Sequence, residues 1–134
     1  AVLMMTHGRH LRSAHDCSDG GLACTLAECA LGDGEAPIGI SVELDADLPP
    51  VAVLFAESQG RIVISCAADQ TVHVLRIAKE HGVPAAKIGS VTTGGSPFRI
   101  VMPEGKMEAD LVEMADAYFG ALPRIMDAPS TAGA

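Results

Sequence analysis

Aromatic side chains are nearly missing: there is no tryptophan, and only one tyrosine and three phenylalanines stand in 134 residues. Too few are present for the base-stacking platform that single-stranded nucleic acids need. Positive charge is scarce as well, with 9 Lys+Arg against 17 Asp+Glu and a net charge of −8. A surface of that sign repels phosphate backbones and anionic membranes, so no nucleic-acid and no membrane partner is expected. Long hydrophobic runs are absent, since Ala1–Met5 and Val51–Ala56 are far too short to span a bilayer. No basic residue precedes Ala1–Met5, which therefore does not read as a secretory signal. The four cysteines, Cys17, Cys24, Cys29 and Cys66, contain no Cys-x-x-Cys pair. Free thiols in a reducing compartment are the expectation, and with them a cytoplasmic location.

What is present is apolar. Hydrophobic residues make up 49% of a 13.8 kDa chain, and charged residues only 19%. A chain of this length hides roughly two thirds of its unfolded surface on folding, enough for a core without staples. One domain is expected over residues 1–124, followed by a disordered tail over residues 125–134, which ends in the small, polar DAPSTAGA. The chain opens without an initiator Met on a run that reads as the end of a helix, so a fragment of something longer is expected.

Helical and strand patterns alternate. Residues up to about Leu11 read as helix and Leu11–His15 as a short strand. Ser18 or Asp19 is the expected N-cap of a helix carrying Leu22, Leu26, Cys29 and Ala30, which Gly32-Asp33-Gly34 ends. Ile38, Ile40, Val42 and Leu44 alternate as a half-buried strand. Pro49-Pro50 opens a short helix through about Phe55, and Arg61–Cys66 is a compact β-branched strand. Asp69–His81 reads as an amphipathic helix with Val72, Leu75 and Ala78 on one face, ended by Gly82. Ala86–Thr92 and Phe98–Met102 read as strands joined by a hairpin-like turn over Thr93-Gly94-Gly95-Ser96-Pro97. Met107, Leu111, Met114 and Tyr118 give the last helix its stripe, with Glu108, Glu113 and Asp116 outside. The fold class is α/β (α+β), a mixed sheet covered by helices.

Two clusters carry chemistry. In His15-Asp16-Cys17-Ser18-Asp19-Gly20-Gly21-Leu22, two carboxylates, a hydroxyl and two glycines meet at a strand-to-helix junction. A helix N-terminus presents unpaired N–H groups, and glycines let an anion approach them, so phosphate can sit there. Asp16 is placed to hold a magnesium ion bridging such phosphates. The plain alternative is an N-cap with a tight turn. The second cluster, Glu57-Ser58-Gln59-Gly60-Arg61, lies at a helix-to-strand turn and can meet a hydroxylated or amide ligand, or be an ordinary polar loop. Arg61 is expected to snorkel or pair with an acid rather than bind phosphate. His7, His10, His73 and His81 are expected at the surface, and Met102, Met107 and Met114 in the core.

Ser13-Ala14-His15-Asp16-Cys17-Ser18-Asp19-Gly20-Gly21-Leu22 resembles the S-A-H-D-x-S-D-G-G-L segment of the phosphoribosylformylglycinamidine synthase family. Leu54-Phe55-Ala56-Glu57-Ser58-Gln59-Gly60-Arg61 is similar to its L-F-x-E-S-Q-x-R segment. Val83-Pro84 with Ile88-Gly89-Ser90-Val91 resembles V-P…I-G-x-V, and Gly120-Ala121-Leu122-Pro123 the closing G-A-L-P. The likeness runs in order over about residues 10–124; where a tryptophan is expected near Gly120, Tyr118 and Phe119 stand instead.

The resemblance implies a two-halved synthetase, each half an ATP-binding-type domain followed by a domain of this α/β type. This chain is similar to the second half's C-terminal domain in the short form. That form works with a separate glutaminase subunit and a small third subunit. The implied reaction converts formylglycinamide ribonucleotide, ATP and glutamine-derived ammonia to the amidine in purine biosynthesis. The resemblance assigns Asp16 to Mg²⁺ and Ser18, with Asp19, Gly20 and Gly21, to ATP or ADP at an auxiliary site. Glu57, Ser58 and Gln59 are counterparts of substrate contacts in the other half. No catalytic residue is implied, and the chain alone is expected to be inactive. A related synthetase (aminoimidazole ribonucleotide, selenophosphate or hydrogenase-maturation type) and a stand-alone nucleotide-binding or subunit-pairing module are the competing readings.

Overall fold

A computed structural model describes residues 1–45, 47–92 and 95–127. Its elements run α1 (Val2–His7), β1 (Ser13–Asp16), α2 (Gly21–Leu31), β2 (Gly39–Glu43), α3 (Pro50–Phe55) and β3 (Ile62–Ser65). A 3₁₀ turn (Ala68–Gln70) leads into α4 (Thr71–Glu80), followed by β4 (Gly89–Thr92), β5 (Phe98–Met102), β6 (Gly105–Ala109) and α5 (Leu111–Met126). The mixed sheet has the order β4-β2-β5-β6, with β2 and β5 parallel and the outer pairs antiparallel. Separate from it, β1 and β3 form an antiparallel ribbon.

The sheet's inner face presents Ile40, Val42, Phe98 and Ile100, which alternate along β2 and β5 as the two-residue period of a strand requires. Leu22, Ala23, Leu26 and Ala30 of α2 close this core, with Leu111 and Met114 of α5 packed at its margin. A smaller core gathers Met5 of α1 with Val74 and Ala78 of α4. The ribbon stands between them: Val63 packs against the larger core and its neighbour Ile64 against the smaller.

Several expectations are corrected. Both β4 and β5 pair with β2, one on each side, so they form no hairpin with each other. Thr93 and Gly94 of the expected turn lie outside the described residues. Met107 and Glu108 belong to β6 rather than to the last helix, which starts after Asp110, whose carboxylate accepts from the Val112 and Glu113 amides. On α4 the buried face is Val74 and Ala78, an i, i+4 pair, while Val72 is 80% exposed. Helix α5 continues to Met126, so Ile125 and Met126 of the expected tail are helical, and residues 128–134 lie outside the described residues.

The four cysteines are free, Cys17 buried and Cys24, Cys29 and Cys66 half-buried. His10 and His73 are not independent surface residues. Their Nε2 atoms lie 3.1 Å apart, with the Gln70 carbonyl oxygen on His10 Nδ1 and the Arg76 guanidinium on His73 Nδ1. Arginine only donates, so His73 Nδ1 accepts, His73 Nε2–H donates to His10 Nε2, and His10 Nδ1–H donates to Gln70. This chain of contacts ties the segment after α1 to α4.

Candidate functional site at the end of the ribbon

Antiparallel pairing of β1 with β3 brings the two sequence clusters to one end of the ribbon. The first leaves β1 at Asp16, the second enters β3 at Ile62, and Asp16 pairs with Ile62. Beyond the last pair the Cys17 amide donates to the Arg61 carbonyl at 2.8 Å, which extends the ladder into the clusters. Arg61 does not face solvent phosphate. Its guanidinium reaches the Ala56 and Val53 carbonyls at 3.3 and 3.5 Å, at the C-terminal end of α3, where unpaired carbonyls favour a cation.

Helix α2 starts on two glycines of positive φ, Gly20 at 75° and Gly21 at 67°. Gly20 is its N-cap, with no side-chain cap, so neither Ser18 nor Asp19 takes the expected capping role. Both are exposed and stay outside the helix. The Ser18 carbonyl instead accepts from the Gly21 amide at 3.1 Å. Across the site, the Gly20 amide donates to Glu57 Oε1 at 3.0 Å. A carboxylate from the second cluster thus occupies the place at the helix start where an anion is stabilised. Gly21 is required for close approach, because a Cβ there would stand 2.8 Å from the Leu54 carbonyl oxygen and the Phe55 carbonyl carbon.

Asp16 projects a side chain that is 74% exposed. Its main-chain carbonyl is held by His15 Nδ1 at 2.8 Å and by the Thr25 hydroxyl at 3.2 Å. Ser58 and Gln59 are exposed beside Glu57. Sequence reasoning gives Thr25 and Glu28 no role and reads Tyr118 only as part of the last helix's apolar stripe, near the place of an expected tryptophan. Glu28 was visible as a carboxylate inside the apolar run Ala27-Glu28-Cys29-Ala30, and its partners were not. Glu28 Oε2 lies 3.3 Å from His15 Nε2, and Glu28 Oε1 accepts from the Tyr118 hydroxyl at 3.0 Å. That bond, with the negative charge of Glu28, pushes the Tyr118 phenol above its ordinary range. Burial, helped by Glu28 and Cys17, pushes the Cys29 thiol up.

Among the described residues, no three His, Cys, Asp or Glu side chains converge as a protein-built metal centre requires. A single exposed carboxylate such as Asp16 suits only a hard cation that brings its remaining oxygen ligands with it, as Mg²⁺ does on a nucleotide. An open cavity of about 640 Å³ lies elsewhere, lined by Ser41, Glu43, Lys87, Ser90 and Val101 among others. Among the described residues, no helix is long and apolar enough to cross a membrane.

This arrangement, a mixed sheet under helices with a glycine-started helix clasped to a second motif, defines a class. Residues 1–102 match the family described as AIR synthase related protein, C-terminal domain, and the chain belongs to that family. It is 38% identical over 115 residues to the phosphoribosylformylglycinamidine synthase subunit PurL of Thermobifida fusca, covering 86% of this chain and 14% of that protein. The corresponding subunit of Moorella thermoacetica is 40% identical over 116 residues, covering 85% and 15%. The chain thus spans about one seventh of the length of these relatives. Among solved structures, Thermotoga maritima PurL complexed with ATP superposes with a TM-score of 0.72 at 23% identity, over 84% of this chain and 20% of that one. The ADP complex gives 0.71 at 24% identity, again over 84% and 20%. The sequence resemblance and the mixed-sheet fold class both stand.

Proposed function

We propose that this chain is the second-half C-terminal domain of a short-form phosphoribosylformylglycinamidine synthase. The whole enzyme converts formylglycinamide ribonucleotide, ATP and glutamine-derived ammonia to the amidine as an ATP-dependent carbon–nitrogen ligase of the cytoplasm. The domain extends through the end of α5 at Met126, its partners are the remaining synthetase domains, the glutaminase subunit and the small third subunit, and the chain alone is inactive. Its own contribution is mainly structural, with an auxiliary nucleotide site. The observation that supports this reading best is the meeting of both family motifs at one end of the ribbon, through the Gly20–Glu57 bond.

Within that reading Asp16 gives its carboxylate to magnesium and the Ser18 hydroxyl with Asp19 faces ATP or ADP, while Gly20 and Gly21, whose amides are taken by Glu57 and the Ser18 carbonyl, shape the turn that presents them. Magnesium supplies the charge that lets a polyphosphate approach a domain of net charge −8. Glu57 is assigned to holding the Gly20 turn, leaving Ser58 and Gln59 as the exposed polar contacts. The test is Mg·ADP retention by the full synthetase carrying Asp16→Asn. Retention is expected to fall about tenfold or more, the scale of a lost charge-assisted contact. Unchanged retention overturns the assignment. The intact mass of the native protein from its source cell tests the rest: several times 13.8 kDa is expected, and a mass near 13.8 kDa overturns the synthetase reading.

A further inference from the structure

The turn that leaves α1 is shaped around one imidazole. Arg9 adopts a left-handed conformation at φ 54°, the only non-glycine to do so among the described residues. Its amide donates to the Thr6 carbonyl at 3.0 Å and the His10 amide to the Met5 carbonyl at 2.9 Å, a helix ending that usually falls on glycine. Gly8 has an ordinary φ of −74°, yet a Cβ there would overlap the His10 ring. A glycine thus stands where space is needed, and a strained arginine where the chain turns His10 back onto α4. There His10 Nε2 lies 3.1 Å from His73 Nε2. Arg76 donates to His73 Nδ1 at 2.9 Å, which leaves the His73 proton on Nε2, between the two rings. On the far side His10 Nδ1 lies 2.9 Å from Gln70 Oε1, an acceptor that keeps the His10 proton on Nδ1 and the Nε2 lone pair free.

We propose that His10 Nε2 and His73 Nε2 form an open two-imidazole site for a divalent cation of the zinc class, which takes the place of the proton between them. Zinc–nitrogen bonds of about 2.0–2.1 Å at a tetrahedral angle set two ligand nitrogens roughly 3.3–3.4 Å apart. From 3.1 Å the rings need to part by only a few tenths of an ångström. Imidazole is a favoured ligand of such ions, and ligating histidines are held, as His10 is by Gln70, through an oxygen on the other ring nitrogen. Two side chains do not close the coordination shell, so water completes it and the ion stays exchangeable. Coordination moves one proton. It leaves His73 Nε2 for solvent, and solvent returns one to Nδ1, so the ring still carries a single proton. Arg76 must then release Nδ1, and it already pairs with Glu80 one turn further on. Both its charge and its hold on Nδ1 oppose the cation. The site is independent of the nucleotide reading: it fastens the segment after α1 to α4, over the small core of Met5, Val74 and Ala78. A plain hydrogen bond between two rings is the rival account.

Zinc alone is the probe, titrated into the untagged 134-residue chain labelled with ¹⁵N and ¹³C. The ring nitrogens of His10 and His73 are expected to shift together at one midpoint, with His73 changing from the Nε2–H to the Nδ1–H pattern, while those of His81 stay in place. His10→Gln, His73→Gln and Gln70→Leu are each expected to bind zinc about tenfold or more weakly, the scale of a lost ligand or of its support. In urea, zinc is expected to stabilise wild type and neither histidine variant. Arg76→Met changes an exposed side chain, leaves both rings in place, and is expected to bind zinc severalfold more tightly. The free thiols are the competing ligands. Zinc that shifts the cysteine Cβ resonances and leaves His10 and His73 unmoved overturns the proposal. Equal titrations of wild type and both histidine variants overturn it too, as does Arg76→Met binding no more tightly than wild type. Should a histidine variant not fold, the wild-type resonances and Arg76→Met decide alone.

Discussion

The Gly20 amide donates to the Glu57 carboxylate across 37 residues of chain, so the first turn of α2 is completed by a side chain from the other motif. The two motifs are one structural unit before any ligand arrives. Helix α2 has no side-chain cap of its own and no acidic residue in its first turn, and Glu57 is the carboxylate hydrogen-bonded at its positive end. Replacing Glu57 with Ala is expected to cost about 0.5–1 kcal/mol, the value of an exposed cap and dipole contact. Urea denaturation reads it, and 0.5 M salt should shrink the difference. A variant as stable as wild type would mean that water caps the helix equally well.

Gly21 and Gly60 make an internally controlled pair. Both have positive φ, 67° and 79°, but a Cβ at Gly21 would stand 2.8 Å from α3 backbone whereas Gly60 has open space around it. Gly60→Ala is expected to cost about 1 kcal/mol, the strain of a left-handed alanine alone. Gly21→Ala adds overpacking against immovable main chain, for a total of roughly 2–4 kcal/mol. Equal losses would show that α2 and α3 can separate freely.

The Tyr118 phenol is raised by its bond to Glu28 and by that residue's charge. Its neutral form is the donor, so the stabilisation is full below the ordinary tyrosine range and disappears as pH rises through the higher folded value. Absorbance at the phenolate band, followed against pH, should place this single tyrosine above a free tyrosine. Glu28→Gln removes the charge and should bring the curve back down, and no movement would remove Glu28 as the cause.

Cys29 is raised by burial first and by Glu28 and Cys17 after it. The thiol form is favoured in the fold, so its share of stability is present below the unfolded value and fades as pH climbs through the folded one. Thiolate is the reactive species. At mildly alkaline pH, Cys29 is expected to react with a disulfide reagent more slowly in the folded chain than in urea. Mass spectrometry of the modified peptides reads this directly, and equal rates would contradict it.

Some elements were legible because a local cause decides them. Pro49-Pro50 fixes the first turn of α3, and the β-branched run from Ile62 fixes β3 nearly to the residue. Strand β6 escaped because Gly105-Lys106-Met107-Glu108-Ala109 has no β-branched residue, so its pairing with β5 supplies the order that propensity does not. Asp110 followed by Glu113 was the available start signal for α5, and the methionine stripe overrode it. Strand neighbours are a tertiary property: nothing local tells β4 and β5 that both belong beside β2. The site divides in the same way. Membership of Asp16, Ser18 and Glu57 in motifs can be read along the chain. The Gly20–Glu57 clasp and the reach of Tyr118 cannot, because each joins residues that only the packed ribbon and helices bring together.

Adjacent residues of β3 feed different cores, Val63 the larger and Ile64 the smaller, and this has a consequence for exchange with solvent. The small core of Met5, Val74 and Ala78 has few apolar contacts to lose, so α1 and α4 can detach while Ile100 and its neighbours stay closed. Amide protons of α4 should then trade for deuterium well before those of β2 and β5. The ribbon, held on one side only during such openings, would keep the paired motifs together through fluctuations that the rest of the small core does not survive.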